Sequence, residues 1–223
     1  MKVKLVSYSK PSVEFYKDGI EDAQDLIAFC ARVSNPSNQY NTETSEKLIN
    51  YLVKHAHWSP LEMVSVCLEV ETTRDIARQI LRHRSFSFQE FSQRYADPTK
   101  DLDFEIREAR LQDTKNRQNS VETDNDYIKD RWEDEQSKVI IAAKEAYKWA
   151  IDNGIAKEQA RAVLPEGLTK SRMYMNGTLR SWVHFIQVRS GNGTQKEHMI
   201  IARECAKVIA EIFPMANQFI SEN

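Results

Sequence analysis

Between Met63 and Glu71 the chain alternates without a break, with Val64, Val66, Leu68 and Val70 on one side and Ser65, Cys67, Glu69 and Glu71 on the other. Successive side chains of a strand point to opposite faces, so this pattern predicts a strand with one apolar and one polar face. Lys2 to Ser9 alternates well enough for a strand at a sheet edge, and Leu168 to Met175 is a third candidate. Most of the remaining sequence carries helical spacing. The expected fold is therefore α+β: a single helix-rich domain over residues 1–223 with a small, mostly antiparallel sheet.

Glu21 to Val33 reads as a helix with Ala23, Leu26, Ile27 and Cys30 on one face, broken by Ser34-Asn35-Pro36. Thr42 to His55 reads as a second, with Leu48, Tyr51 and Leu52 as its stripe. His57 to Glu62 is a turn, because Pro60 restricts Ser59 to an extended backbone. After the central strand, Thr72 and Asp75 resemble a capping pair, so a short helix from about Thr73 to Leu81 delivers Arg82 at its C-terminal end, followed by a loop. Residues 97–126 are polar and charged, and are expected to form a surface excursion, partly ordered at best without a ligand. Asp126 to Asp152 predicts a long helix burying Ile128, Trp132, Val139, Ala142, Ala146 and Trp149. A shorter helix, Ala156 to Leu164, stops at Pro165. Asn176-Gly177-Thr178 caps a helix with Leu179, Trp182, Val183 and Ile186 on its core side. Thr194 to Glu197 spells a capping box for a last helix reaching Phe213, on which His198 is expected to face solvent.

A formal net charge of -2 gives no global attraction to nucleic acid or a membrane surface, so any affinity for anions must be local. Met1 to Val6 lacks the apolar run of a signal peptide and no later stretch approaches a membrane span, which predicts a cytoplasmic protein, in the host cytoplasm if virus-encoded. Cys30, Cys67 and Cys205 are odd in number and far apart, suggesting neither a disulfide framework nor a thiolate metal site. His55 and His57 have no third ligand nearby, so no metal is expected there.

The local charge sits in Gln79 to Tyr95, where Arg82, His83, Arg84, Glu90 and Arg94 are interleaved with Phe86, Phe88, Phe91 and three serines. A basic helix end alone is ordinary, since cations complement the C-terminal dipole. The interleaved hydroxyls, carboxylate and rings are not. Arginine forks bind phosphate or carboxylate through charge-assisted bonds worth roughly 1.5–3 kcal/mol each, so the stretch reads as an anion site with aromatic walls.

Arg82-His83-Arg84, seven residues, then Ser92 resembles the signature of the flavin-dependent thymidylate synthases. Ala31 to Ser34, His57 to Glu62, Ala77 to Gln79, Ala160-Arg161 with Val163 to Pro165, and Leu179-Arg180 leading to Arg189 resemble further blocks of that family in order, so the likeness spans nearly the whole chain. The resemblance implies that family's fold and a homotetramer with sites shared between subunits. It implies reductive methylation of dUMP to dTMP, with 5,10-methylenetetrahydrofolate giving the carbon and NADPH reducing a bound FAD that delivers the hydride. Carried over by position, Ser34, Ser59, Arg82, His83, Arg84 and Glu90 would contact FAD, as would Thr178, Leu179, Arg180 and His184. Gln79, Ile80, Leu81, Arg82, Glu90 and Phe91 would contact dUMP, as would Ser92, Gln93, Arg94, Arg161 and Arg189. His57 and His83 would border the folate.

The residue types suit those roles. Activating a uracil carbon requires stabilising negative charge on the ring, which a guanidinium does without giving up its proton, and by resemblance that catalytic role falls to Arg189. Gln79, Arg94, Arg161 and the Ser92 hydroxyl suit the phosphate, and Glu90 can accept from a ribose hydroxyl. The alternative for Arg161 is a weak surface ion pair with Glu158 on the same helical face, and the ligand role is the favoured one. Ser92 as a nucleophile would need an adjacent base, and His83 lies nine residues away between two arginines. The chain departs from the family's common pattern at Met63, Gln89, His184 and Gly193, which leaves the His184 contact to FAD open. Three rivals stand beside this reading: the cysteine-dependent synthase, which lacks support without a Pro-Cys loop; an RNA- or single-strand-binding module, which near-neutral charge opposes; and a flavoprotein of the same fold without synthase activity.

Overall fold

The computed structural model describes residues 1–221. In chain order its elements are β1 (Lys2–Tyr8), α1 (Val13–Tyr16), α2 (Ala23–Ala31), α3 (Ser45–Lys54), β2 (Ser65–Thr73), α4 (Arg74–Ile80) and β3 (Ser87–Glu90). There follow α5 (Pro98–Asp101), β4 (Arg110–Gln112), β5 (Ser120–Glu122), α6 (Asp126–Asp152), α7 (Lys157–Ala160), β6 (Lys170–Thr178), α8 (Leu179–Arg189) and α9 (Lys196–Ala210).

β2 is the centre of an antiparallel sheet ordered β1-β2-β6-β3. The alternation read in the sequence sets its two faces: Val66, Leu68 and Val70 are fully buried. Leu68 pairs with Met175 and Val66 with Gly177, which carries the apolar face onto β6. The other face is polar, with Arg172 of β6 donating to Glu71 of β2 at 2.6 Å. Helices α8 and α9 close the apolar face with Trp182, Phe185, Ile201 and Ile209, and the Trp182 indole N–H finds the Val66 carbonyl at 3.0 Å. The expected fold class holds.

The central stretch is more than a helix end and loop. After α4 and a tight turn the chain re-enters the sheet as β3, pairing Ser87 with Asn176 and Glu90 with Met173. Phe86 lies at that entry, its ring 4.8 Å from Trp182 and 6.1 Å from Phe185. Gly177 makes this approach possible, since a Cβ there would sit 2.5 Å from Phe86 Cδ1. Gly177→Ala must displace a ring walled in by two other aromatics, and should cost about 1–3 kcal/mol in urea unfolding. An unchanged midpoint would show that Phe86 moves freely.

Three expectations are corrected. α6 spans the expected residues but turns another face inward: Gln136, Ala143, Tyr147 and Ala150 are buried, whereas Trp132, Val139 and Trp149 are 45%, 47% and 63% exposed. The wide apolar stripe is thus left outside, because the helix docks through its narrower side onto α7. The polar stretch 97–126 carries α5 and the β4–β5 hairpin, and is anchored rather than loose: the Arg107 backbone N–H donates to Gln136 Oε1 at 2.8 Å. Finally, α9 has no capping box. Its N-cap is Gln195 without a side-chain bond, because Glu197 is drawn inward by Arg107 at 3.1 Å and Arg110 at 2.6 Å.

Candidate active site

α4 ends at Ile80, and the turn through Leu81 to Phe86 lies along α8 from end to end. Ser181, in the first turn of α8, donates through its hydroxyl to the Ser85 carbonyl at 3.3 Å. Arg189, in the last turn, donates from Nε to His83 Nε2 at 2.9 Å. The arginine-histidine turn therefore faces two places at once.

Toward the start of α8 lies a cleft of about 410 Å³ lined by Trp58, Glu62, Ser85, Arg180, His184 and Gln187. Thr178 is the N-cap of α8, its hydroxyl accepting from the Ser181 N–H at 3.4 Å. Arg180 pairs with Glu62 across the cleft. An aromatic ring, an arginine, a histidine and a helix N-terminus suit a planar heterocycle carrying phosphate, so these residues fit a flavin. Leu179 lies in the core and its N–H is spent on the Val64 carbonyl at 2.8 Å, so it offers a ligand at most a carbonyl. Ser59 is exposed at the start of the turn that carries Trp58, and Ser34 is exposed in the loop after α2. His57 is exposed, its ring 6.4 Å from that of His55. Among the described residues no group of three or more His, Cys, Asp or Glu is arranged to hold a metal.

Toward the end of α8 the site is more deeply set. Burial, then the neighbouring charges of Arg189 and His184, push the His83 pKa down to about 4. A neutral His83 fits the geometry, because an arginine Nε can only donate and His83 Nε2 must be the acceptor. With Nε committed to His83, Arg189 keeps its two terminal amino groups as a fork. Arg82 and Arg84 are exposed and make no side-chain bond or ion pair among the described residues.

The residues that the resemblance assigns to the nucleotide fall into two groups. Arg94 reaches the Glu158 carboxylate at 3.5 Å while Arg161 Nε donates to the Glu158 carbonyl at 3.2 Å, so one residue of α7 holds both guanidiniums. The sequence alternative for Arg161, a carboxylate pair with Glu158, is replaced by this carbonyl bond. Glu90 accepts from the Ser171 hydroxyl at 2.7 Å and lies 3.7 Å from Arg74 and 3.6 Å from Arg78. Ser92 Oγ accepts from the Arg94 N–H at 3.3 Å, Gln93 is buried with an unpartnered Nε2, and Phe91 donates its N–H to the Arg172 carbonyl at 2.8 Å. Leu81 is half-buried and Ile80 fully buried, so Ile80 can serve a ligand only through its backbone.

His198, expected in solvent, is fully buried, with its ring 6.3 Å from that of His83 and its Nδ1 3.3 Å from Gln79 Oε1. The signal was present in the spacing: His198, Ile201, Ala202, Cys205 and Ile209 recur at helical intervals and are all buried. Gln195, which accepts from Gln79 at 2.8 Å, carried no such signal.

A family model for the thymidylate synthase complementing protein matches residues 17–215. A probable flavin-dependent thymidylate synthase of Paramecium bursaria Chlorella virus 1 is 46% identical over 214 residues, covering 96% of each chain. A flavin-dependent thymidylate synthase of Synechocystis is 45% identical over the same share. Among solved structures, the UMP/dUMP methylase PolB from Streptomyces cacaoi, bound with 5-Br dUMP, superposes with a TM-score of 0.77 at 25% identity, covering 98% of this chain and 93% of that one.

Proposed function

This chain belongs to the thymidylate synthase complementing protein family, and from that premise we propose that it is a flavin-dependent thymidylate synthase converting dUMP to dTMP. The observation that carries the reading within the molecule is the Arg189–His83 pair beside the cleft, because it gives one arginine a fixed direction and a free fork.

Arg189 donates from its terminal amino groups to the uracil ring, stabilising the negative charge that develops when the carbon to be methylated becomes nucleophilic. Its partner His83 stays neutral at working pH, so the guanidinium is the local positive charge and needs no proton transfer to act. Arg94 and Arg161, held side by side by Glu158, take the 5′-phosphate; their bonds to Glu158 are weak enough at a half-exposed position to yield to a dianion. Glu90 has lone pairs left for the ribose hydroxyl, and Ser92 and Gln93 offer a hydroxyl and an unspent N–H. Trp58, Arg180 and His184 hold the flavin, with Arg82 and Arg84 free to meet its phosphates. When bound, the flavin supplies the reducing equivalents that turn the transferred one-carbon unit into a methyl group.

Methylenetetrahydrofolate as carbon donor, with His57 and His83 at its edge, and NADPH as reductant complete the reading. So does a homotetramer. Its physical support is the outward stripe of α6, with Trp132, Val139 and Trp149 exposed, which is costly in water and suits a subunit interface. Shared sites would account for Ser34, which lies on an exposed loop and is not among the residues lining the cleft. Work in the cytoplasm belongs to the same reading, and no helix among the described residues is long and apolar enough to cross a membrane.

The purified protein should carry a flavin absorption band and form dTMP anaerobically from dUMP, methylenetetrahydrofolate and NADPH. No flavin band, and no uptake of FAD on reconstitution, would end the proposal. Flavin without dTMP formation would leave a flavoprotein of the same fold.

A further inference from the structure

His198 has no part in the chemistry above, yet it is a polar ring at zero exposure in the wall of the site. It packs 5.7 Å from the Phe185 ring, a contact that leucine or isoleucine would make equally well. A histidine there carries a burden an aliphatic residue would not, since its Nε2 is buried without a partner.

What distinguishes the histidine is the chain of side chains ending on it. Glu197 is ionised: burial pushes its carboxyl up, but its own backbone N–H and the charges of Arg107 and Arg110 hold it below the ordinary range. An ionised carboxylate only accepts, so the Gln195 amide must turn its Nε2 toward it, at 2.9 Å. Gln195 Oε1 is then left to accept from Gln79 Nε2 at 2.8 Å. Gln79 Oε1 in turn requires a donor, and His198 Nδ1 stands 3.3 Å away. Reversing Gln195 would bring two acceptors together at Glu197, and reversing Gln79 alone would bring two together at Gln195. One carboxylate therefore sets the polarity of the row, and the row sets the tautomer of His198.

We propose that His198 is a positioning residue for the nucleotide: its Nδ1–H clamps the Gln79 carboxamide against Gln195, so that the remaining N–H of Gln79 Nε2 is presented to an acceptor oxygen of bound dUMP. This rests on the reading of Gln79 as a nucleotide ligand. His198 itself touches no substrate.

The test uses the flavin-loaded enzyme with His198→Leu, His198→Asn and His198→Gln, reading dUMP affinity by calorimetric titration, KM and kcat by anaerobic turnover, and flavin content. Asparagine places an N–H near the Nδ1 position and glutamine near Nε2. Losing one oriented hydrogen bond should weaken dUMP binding roughly tenfold in His198→Leu, with kcat within about twofold of the parent. His198→Asn should recover to within about threefold, and His198→Gln should not. Parental affinity in His198→Leu, or recovery by glutamine in place of asparagine, overturns the proposal. If the leucine variant does not fold, the asparagine–glutamine comparison decides alone, and equal affinities overturn it. A parent enzyme that binds no dUMP would instead refute the functional reading beneath it.

Discussion

Arg189→Ala should lower dTMP formation by about 10²–10³-fold, the usual loss when one preorganised donor to a developing anion is removed, while the protein keeps its flavin. The separation follows from the geometry of α8. Arg189 is not among the side chains that line the cleft, and Arg180 at its far end lies nine residues away, roughly 13 Å along a helix, so the substitution leaves Trp58, Arg180 and His184 in place. Arg189→Lys should recover little, because an ammonium cannot bond to His83 and present a planar fork together. A second readout belongs to His83. Burial contributes most to its depressed pKa and Arg189 comes next, so in Arg189→Ala the value should rise from about 4 toward the ordinary 6.5 without reaching it. An NMR titration that follows the chemical shifts of the His83 ring nitrogens reads this directly. Loss of FAD with dUMP binding intact would move Arg189 to the flavin side and undo the assignment.

The sheet and the terminal helices were legible because their signals are local. The alternation of Val64 to Val70 needs no knowledge of the partner strand, and Thr178 caps α8 with its own hydroxyl. Where the reading failed, a distant residue had outbid a near one. Thr194 to Glu197 has the letters of a capping box, but two arginines from residues 107–110 offer Glu197 charge where the helix offers one N–H. The same contact ties down a stretch whose composition looks unanchored. α6 failed for the opposite reason: its apolar stripe is plain, but periodicity cannot say whether a stripe meets this chain's core or lies outside it. The central motif reads as an anion site from its composition alone, whereas the Arg189–His83 bond beside it spans 106 positions and leaves no mark on either neighbourhood.

Glu197→Leu should be the most destabilising single change in the site region, costing about 3–5 kcal/mol in denaturant unfolding, because it strands two guanidiniums in a dry setting. Glu197 is only 4% exposed, and both arginine side chains that reach it are largely buried. Arg107 keeps Asp75 at 2.7 Å and Arg110 keeps Glu108 at 2.7 Å, so the loss belongs at the lower end of that range. The dependence on pH has a fixed sign. Glu197 has a folded pKa below its unfolded 4.5, so its contribution is present above that value and is lost as the pH falls further. His83 and His198 are held neutral, with pKa values pushed down to about 4 and about 3, so the unfolded chain takes up their protons first, from about pH 6.5 downward. All three groups withdraw stability in the same direction. Unfolding free energy should therefore be steady above pH 7, decline from about 6.5 down to about 4 through His83 and to about 3 through His198, and fall more steeply below 4.5 as Glu197 adds its share. In Glu197→Leu the histidine decline should persist while the carboxylate's share of the step disappears. A variant within about 1 kcal/mol of the parent at pH 7 would mean that Asp75 and Glu108 alone satisfy the two arginines, and that Glu197 anchors nothing.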